Sequence, residues 1–224
     1  MQISIIICCF NRWAFTKACL NDLFKLNEND HEIIVIDNAS SDETNEELSR
    51  IDRPNFHHIR NDENLFHSKA CNIGFDKATG DNIVFMNNDI RVRENASSWT
   101  DDIVLYCKDH IIGTTMGQLD NNLNFIKEAN KELDGNSYLS GWIIASSRKN
   151  FNKISVDNKV WNEEFPFYFN DTDLSFRARE LGVPLKVIGL PVVHFGKVSA
   201  RQLNVNKLYN EGRTKFIKHW SNKV

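Results

Sequence analysis

The sequence predicts an α/β fold, with a doubly wound, mostly parallel sheet in its amino-terminal half and a mixed half behind it. Three observations lead there. Short, unbroken apolar runs rich in β-branched residues recur along residues 1–90, which is how strands buried on both faces read. Between them lie stretches whose apolar residues recur at helical spacing. Directly after several runs stand polar side chains, at the carboxyl ends of strands where open α/β sheets bind ligands.

Ser4-Ile5-Ile6-Ile7-Cys8 is too short for a helix and reads as a first buried strand. From Trp13 to Leu26, the residues Phe15, Cys19, Leu23 and Leu26 share one helical face, and Glu32 to Asp37 then completes a βαβ unit. Ser40-Ser41-Asp42-Glu43 offers a capping box for a helix running to Arg50. Phe56 to Ile59 is a short strand. Ser68 to Ala78 is a helix with Ala70, Ile73, Phe75 and Ala78 in phase and Gly80 as its cap, and Asp81 to Met86 is a fourth strand. Strands separated by helices in this way imply parallel pairing.

Past Asp89 the rhythm changes. Ala96 to Tyr106 reads as a helix, and Ile111 to Phe125, rich in Gly, Asn and Thr, as a hairpin turning near Asp120-Asn121-Asn122. Ser140 to Ser146 is a strand, Asp171 to Leu181 a helix closed by Gly182, and Val187 to Val193 an apolar run ending at His194. Tyr209 to Trp220 reads as a docked helix, with peripheral membrane contact the alternative because Lys215 and Lys218 flank Phe216 and Ile217.

The composition excludes several classes. With 224 residues, 41% hydrophobic and 25% charged, the chain can bury a full core. A net charge of −3 without a concentrated basic face leaves no case for nucleic acid. Five cysteines, odd in number and without Cys-x-x-Cys spacing, point to reduced core thiols in a cytoplasmic setting rather than to disulfides or structural zinc. No basic region precedes the run Ile3 to Phe10, which argues against a signal peptide. No run approaches the roughly 18 apolar residues of a membrane span.

Three polar groups end apolar stretches: Asn87-Asn88-Asp89, Asn170-Asp171-Thr172-Asp173 and His194. Together they suggest a metal-dependent site facing one edge of a sheet. Neither Gly-x-Gly-x-x-Gly nor Gly-x-x-x-x-Gly-Lys occurs, which disfavours a dinucleotide dehydrogenase or a P-loop enzyme.

In order, Ser4 to Arg12, Val35 to Asp42, Asn72-Ile73-Gly74, Asn87-Asn88-Asp89, Trp161 to Phe165, Phe169 to Leu174 and His194-Phe195-Gly196 resemble the motif series of family 2 glycosyltransferases of the GT-A fold. The resemblance implies one domain over 1–224, with a nucleotide-binding half at 1–90, an acceptor and catalytic half at 91–200 and a closing segment at 201–224. It implies an inverting transfer of a sugar from a nucleotide sugar, UDP-glucose, UDP-galactose or similar, to a glycan or other hydroxyl acceptor. Departure of the diphosphate would be assisted by Mn²⁺ or Mg²⁺.

The same resemblance assigns residues. Asp89 stands at the metal carboxylate of the family's Asp-x-Asp motif, and His194 at the imidazole that completes the metal site. Asn87, in place of the motif's first acid, and Asn88 fall to the donor shell. Asp171 matches the carboxylate that takes the proton from the acceptor hydroxyl, with Asn170 where Glu is usual. Asp173 either supports the site or is an early-helix acid favoured by the dipole. Asp37 resembles the residue that hydrogen-bonds the base. Phe10 either covers the base or is a core residue, and Lys69 either touches the nucleotide or is solvated. Trp142 lines the sugar and acceptor pocket or belongs to the core, and Arg201 and Lys207 either close over the diphosphate or are surface charges. His67, like the remaining histidines, reads as a surface or loop residue. Two other readings fit the fold: a non-catalytic nucleotide- or carbohydrate-binding subunit, and a nucleotidyltransferase, whose glycine-rich amino-terminal loop is missing here.

Overall fold

The structure, a computed structural model, describes residues 3–26, 31–93, 99–126, 135–196 and 204–221. Its elements in chain order are β1 (Ile3–Cys9), α1 (Trp13–Leu26), β2 (His31–Asp37), α2 (Thr44–Ser49), β3 (Phe56–Arg60), α3 (Phe66–Lys77), β4 (Asn82–Asn87), β5 (Ile90–Val92), α4 (Trp99–Cys107) and β6 (Ile111–Gly113). There follow β7 (Met116–Leu119), β8 (Phe125–Ile126), β9 (Ser137–Leu139), β10 (Ile143–Ser147), α5 (Arg148–Ile154), α6 (Asn170–Glu180), β11 (Leu185–Val187), β12 (Val192–His194) and α7 (Val205–Trp220).

Seven strands form the main sheet in the order β11-β6-β10-β4-β1-β2-β3. β4, β1, β2 and β3 pair in parallel, whereas β10 runs antiparallel to both β4 and β6. The fold is therefore α/β with a large, mostly parallel sheet, as the apolar runs predict. β1 and β4 are neighbours although β2 and β3 lie between them in sequence. The direction of winding reverses there, and a crevice opens beyond their carboxyl ends.

The central strands are apolar throughout because both faces are covered. Ile5, Ile7, Val35, Val84 and Met86 point to one layer, which holds Leu20 and Leu23 of α1 and Ile103 of α4. Ile6, Ile34, Ile36 and Phe85 point to the other, against Phe75 of α3, Phe151 of α5 and Leu174 of α6. A third cluster docks α7, whose Phe216 and Trp220 meet Phe165, Phe169 and Phe176. That is the docked helix the sequence suggests, and no described helix is long and apolar enough to cross a membrane.

Some boundaries differ from expectation, each for a local reason. The Ser40–Glu43 segment is not a capping box: α2 starts at Thr44 without a side-chain cap. Ser40 Oγ instead accepts from Asn11 N at 2.7 Å, while Asp42 accepts from Trp13 N at 3.3 Å. Both side chains are spent tying the β2 loop to the β1 loop. α3 begins two residues early and ends at Lys77, not at a Gly80 cap; Arg148 donates to Ala78 O at 2.6 Å and Gly80 O at 3.1 Å beyond the helix end. The expected strand Ser140–Ser146 starts at Ile143, and the Val187–Val193 run splits into β11 and β12. Of the expected hairpin, Ile111–Gly113 joins the main sheet, while β7 and β8 form the antiparallel pair around Asp120.

Candidate active site

The crevice beyond β1 and β4 is a cleft of about 380 Å³ whose lining includes Phe10, Asn87, Asn88, Asp89, Trp142, Asp171 and His194. Residues from distant parts of the chain thus meet on one surface.

Asp89 follows β4 in a two-residue turn clamped to α1. Asn88 donates to Thr16 Oγ1 at 2.9 Å, and just beyond, Arg91 forms a two-point ion pair with Asp22, at 2.6 and 3.0 Å, while Val92 N donates to the same carboxylate. The small sheet then delivers His194: β12 pairs antiparallel with β5, setting His194 opposite Ile90, and Phe195 N donates to Asp89 O at 3.0 Å. His194 Nε2 comes to 3.0 Å from Asp89 Oδ1. The approach does not have hydrogen-bond geometry, and Oδ1 is buried without a donor among the described residues. Asn87 Nδ2 stands 3.4 Å from the same imidazole nitrogen, and Trp142 stacks on the ring at 4.9 Å, 7° from parallel. Among the described residues no third His, Cys, Asp or Glu joins this pair.

Asp171 lies in the first turn of α6, entered through Phe169 in a left-handed conformation (φ 65°). Its Oδ2 accepts from Gly141 N at 2.8 Å, and Oδ1 accepts from Thr172 N at 2.8 Å and Thr172 Oγ1 at 3.2 Å. Glycine at 141 eases this approach, since a Cβ there would press on Asp171 Cβ at 3.0 Å and Oδ2 at 3.1 Å. Burial pushes the Asp171 carboxyl above its ordinary range, and the hydrogen bonds from Gly141 and Thr172 pull against it.

Other expected site residues fall elsewhere. Asp37 has no exposed surface; Oδ1 accepts from Ser40 N and Oδ2 pairs with Arg60, so the side chain facing the cleft at the end of β2 is Asn38. Lys69 is exposed on α3 and outside the lining, which at that point is Asn64, Phe66 and His67. His67 is no surface residue: its Nδ1 accepts from Asn170 Nδ2 at 3.1 Å, its ring meets the Trp161 edge, and burial lowers its pKa to about 4. Asp173 is fully buried and turned to structure, accepting from Arg177 Nε at 2.7 Å and Trp220 Nε1 at 3.1 Å. Lys207 is in the first turn of α7, 3.9 Å from Glu211. Arg201 lies outside the described residues.

Asn38 and His67 escaped the sequence reading because strand-end polarity marks a position only to within a residue. Phe66 left a signal. It takes φ 58°, a torsion that favours glycine, and is held there by Asn64 Oδ1 on its N–H and by Asn38 Nδ2 on its carbonyl.

The sheet with its cleft at the switch point has the architecture of the GT-A fold. GalNAc-T7, solved with UDP, GalNAc and Mn²⁺, superposes with a TM-score of 0.66 at 15% identity over 87% of this chain and 44% of that one. TarS 1-349 of S. aureus in complex with UDP-GlcNAc gives 0.61 at 20% identity over 84% and 56%. Within the chain, residues 4–98 match the profile described as Glycosyl transferase family 2. A curated relative, the GalNAc(5)-diNAcBac-PP-undecaprenol beta-1,3-glucosyltransferase of Campylobacter jejuni subsp. jejuni serotype O:2, is 24% identical over 77% of this chain. The chain spans 58% of that relative's length.

Proposed function

We propose that this protein is an inverting, metal-dependent glycosyltransferase that moves a hexose from a UDP-sugar to a hydroxyl of a glycan or related acceptor in the cytoplasm, as a step of polysaccharide assembly. The observation that carries the reading is the meeting of Asp89, His194 and Asp171 in one cleft at the switch point of the sheet. The UDP and UDP-GlcNAc complexes of structural neighbours and the glucosyl transfer named for the curated relative support the choice of donor.

The residues fit a divalent cation. Two ligands of one octahedral ion, each about 2.1 Å from it, stand about 3 Å apart, and the unsatisfied Asp89 Oδ1 and His194 Nε2 are 3.0 Å apart. A hard carboxylate with one imidazole suits Mn²⁺ or Mg²⁺. No lysine or arginine is among the described residues lining the cleft, so the side chains there do not themselves offset a diphosphate's charge. Bound by Asp89 and His194, the ion would supply Lewis-acid stabilisation of the leaving diphosphate.

The chain's own residues do the rest. Asp171 Oδ2, to which among the described residues Gly141 N donates, keeps a lone pair for the acceptor proton. Its raised pKa strengthens it as a base. Attack on the anomeric carbon as the diphosphate leaves from the opposite side inverts that centre. Phe10 offers a face for the base, while Asn38, Asn64 and Asn87 offer amides to the nucleoside. Trp142, stacked on His194, both fixes the imidazole plane and walls the sugar pocket. Residues 1–90 supply the donor half, and residues 91–200 contribute the base.

A screen of UDP- and GDP-sugars with Mn²⁺ and oligosaccharide acceptors, read as nucleoside diphosphate release and product anomer, tests the proposal. Turnover of a UDP-hexose with inverted configuration, lost on chelation, is expected. Nucleotide binding without release across the panel would replace the enzyme with a binding subunit, and nucleotide exchange would replace it with a nucleotidyltransferase.

A further inference from the structure

Beneath the cleft lies a pair of thiols that the proposed reaction does not use. Cys8, at the end of β1, and Cys71, in α3, have their Sγ atoms 3.4 Å apart. The reason is the closeness of helix and strand. Gly74, three residues beyond Cys71, faces Ile6, two residues before Cys8, and a Cβ on Gly74 would stand 2.4 Å from Ile6 Cγ2. Only a glycine lets α3 lie this near β1, and the approach carries one sulfur onto the other. Two anchors hold the start of the helix: Ser68 Oγ donates to Phe165 O at 2.5 Å, and Asn170 Nδ2 donates to Ser68 Oγ at 3.2 Å.

The pair is reached from one side. Cys8 alone of the five cysteines is not fully buried, and it lines the cleft. Cys71 is buried behind it, beside His67. The Asn170 amide donates to His67 Nδ1, and the imidazole packs beside Cys71 Sγ, 3.8 Å from Nδ1 and 3.5 Å from Nε2. Burial holds the Cys71 thiol well above its ordinary pKa, and Cys8 stands between it and the cleft, so Cys8 is the sulfur that meets an oxidant first.

We propose that Cys8 and Cys71 form a thiol-modification site in the floor of the cleft, which a peroxide entering through the cleft closes into a disulfide. Cys8 Sγ attacks a peroxide oxygen; an S–O bond forms, the O–O bond breaks, and water leaves with Cys8 oxidised to a sulfenic acid. Cys71 Sγ then attacks Cys8 Sγ, forming S–S, breaking S–O and releasing a second water. In sum two thiols and hydrogen peroxide give a disulfide and two waters. Closure draws Cys8 toward α3 and alters the floor between Phe10 and Asn87, so this cleft is sensitive to oxidation.

The test uses the folded full chain treated with hydrogen peroxide, then denatured, alkylated with iodoacetamide and mapped by mass spectrometry. Two of the five thiols should be lost, in a linked pair of peptides containing Cys8 and Cys71 and lighter by two hydrogens, with return on reduction. In Cys71→Ser, Cys8 should stop at the sulfenic acid and be captured by dimedone. Retention of all five thiols under peroxide that oxidises a free cysteine peptide would overturn the proposal, as would a link from Cys8 to Cys9 or Cys19.

Discussion

Asp171 shows how a single side chain is prepared by its neighbours. Its backbone enters a helix from a left-handed phenylalanine, and a glycine N–H fixes one of its oxygens. Asp171→Asn keeps that size and the acceptor oxygen but cannot take a proton. Transfer is expected to fall by about 10²–10⁴ in steady-state assays, with nucleotide affinity by calorimetry unchanged. The pH dependence follows from the raised carboxyl. As the proposed base, Asp171 would work only when ionised, so activity should rise with pH through a value above the roughly 3.9 of a free aspartate. Thr172→Val removes the hydroxyl donor to Oδ1 and should move that limb to higher pH. By linkage, the same shift makes folding stability fall as pH rises from the unfolded value through the folded one.

At the scale of elements, the arrangement of α6 and α7 depends on a buried carboxylate. Asp173 joins α6 to itself through Arg177 and to α7 through Trp220 Nε1, while Arg177 reaches on to Ile154 O and Val160 O. Trp220→Phe keeps an aromatic ring but deletes the indole N–H and part of the buried ring surface, leaving a buried acceptor short of a partner. A loss of about 1–3 kcal/mol is expected, seen as a lower urea midpoint at unchanged m. Elements were legible in the sequence where one face or both faces are buried. β1, β2 and β4 appear as apolar runs because helices cover both sides, and the phase of Leu174 and Ala178 marks α6. Short pieces were not. Val187 to His194 looks like one run, yet β11 joins the large sheet and β12 the small one, a division set by partners far away in the chain. The Ser40 segment has the composition of a helix cap, but Asn11 claims its hydroxyl.

For the whole molecule, the site is a product of topology. Asp89 comes from the switch point and His194 from a strand that pairs, among the described residues, with β5 alone, so the pair exists only once both sheets have formed. Asp89→Ala should weaken UDP binding in Mn²⁺ by about tenfold, or about 1.4 kcal/mol, and leave metal-free binding unchanged, both measured by calorimetry. Asp89, Asp171 and His194 could be picked out beforehand because motif order stands in for topology. Asn38 in place of Asp37 could not, since which of two adjacent residues faces a cleft depends on loop torsions, nor could His67 in place of Lys69, since that depends on how α3 is turned about its axis against the sheet. Those torsions have a mechanical consequence. Asn11, Ala39, Phe66 and Phe169, each in the cleft lining or next to a residue of it, all sit at positive φ. Asn11 is held by Ser41 and Asp42, Phe66 by Asn38, and Phe169 by the rings of Phe216 and Tyr209. The first three of these segments are thus knitted to one another by side-chain hydrogen bonds, so that stretch of the mouth is a sprung hoop rather than a set of separate flaps, and amide exchange along it should open in concert.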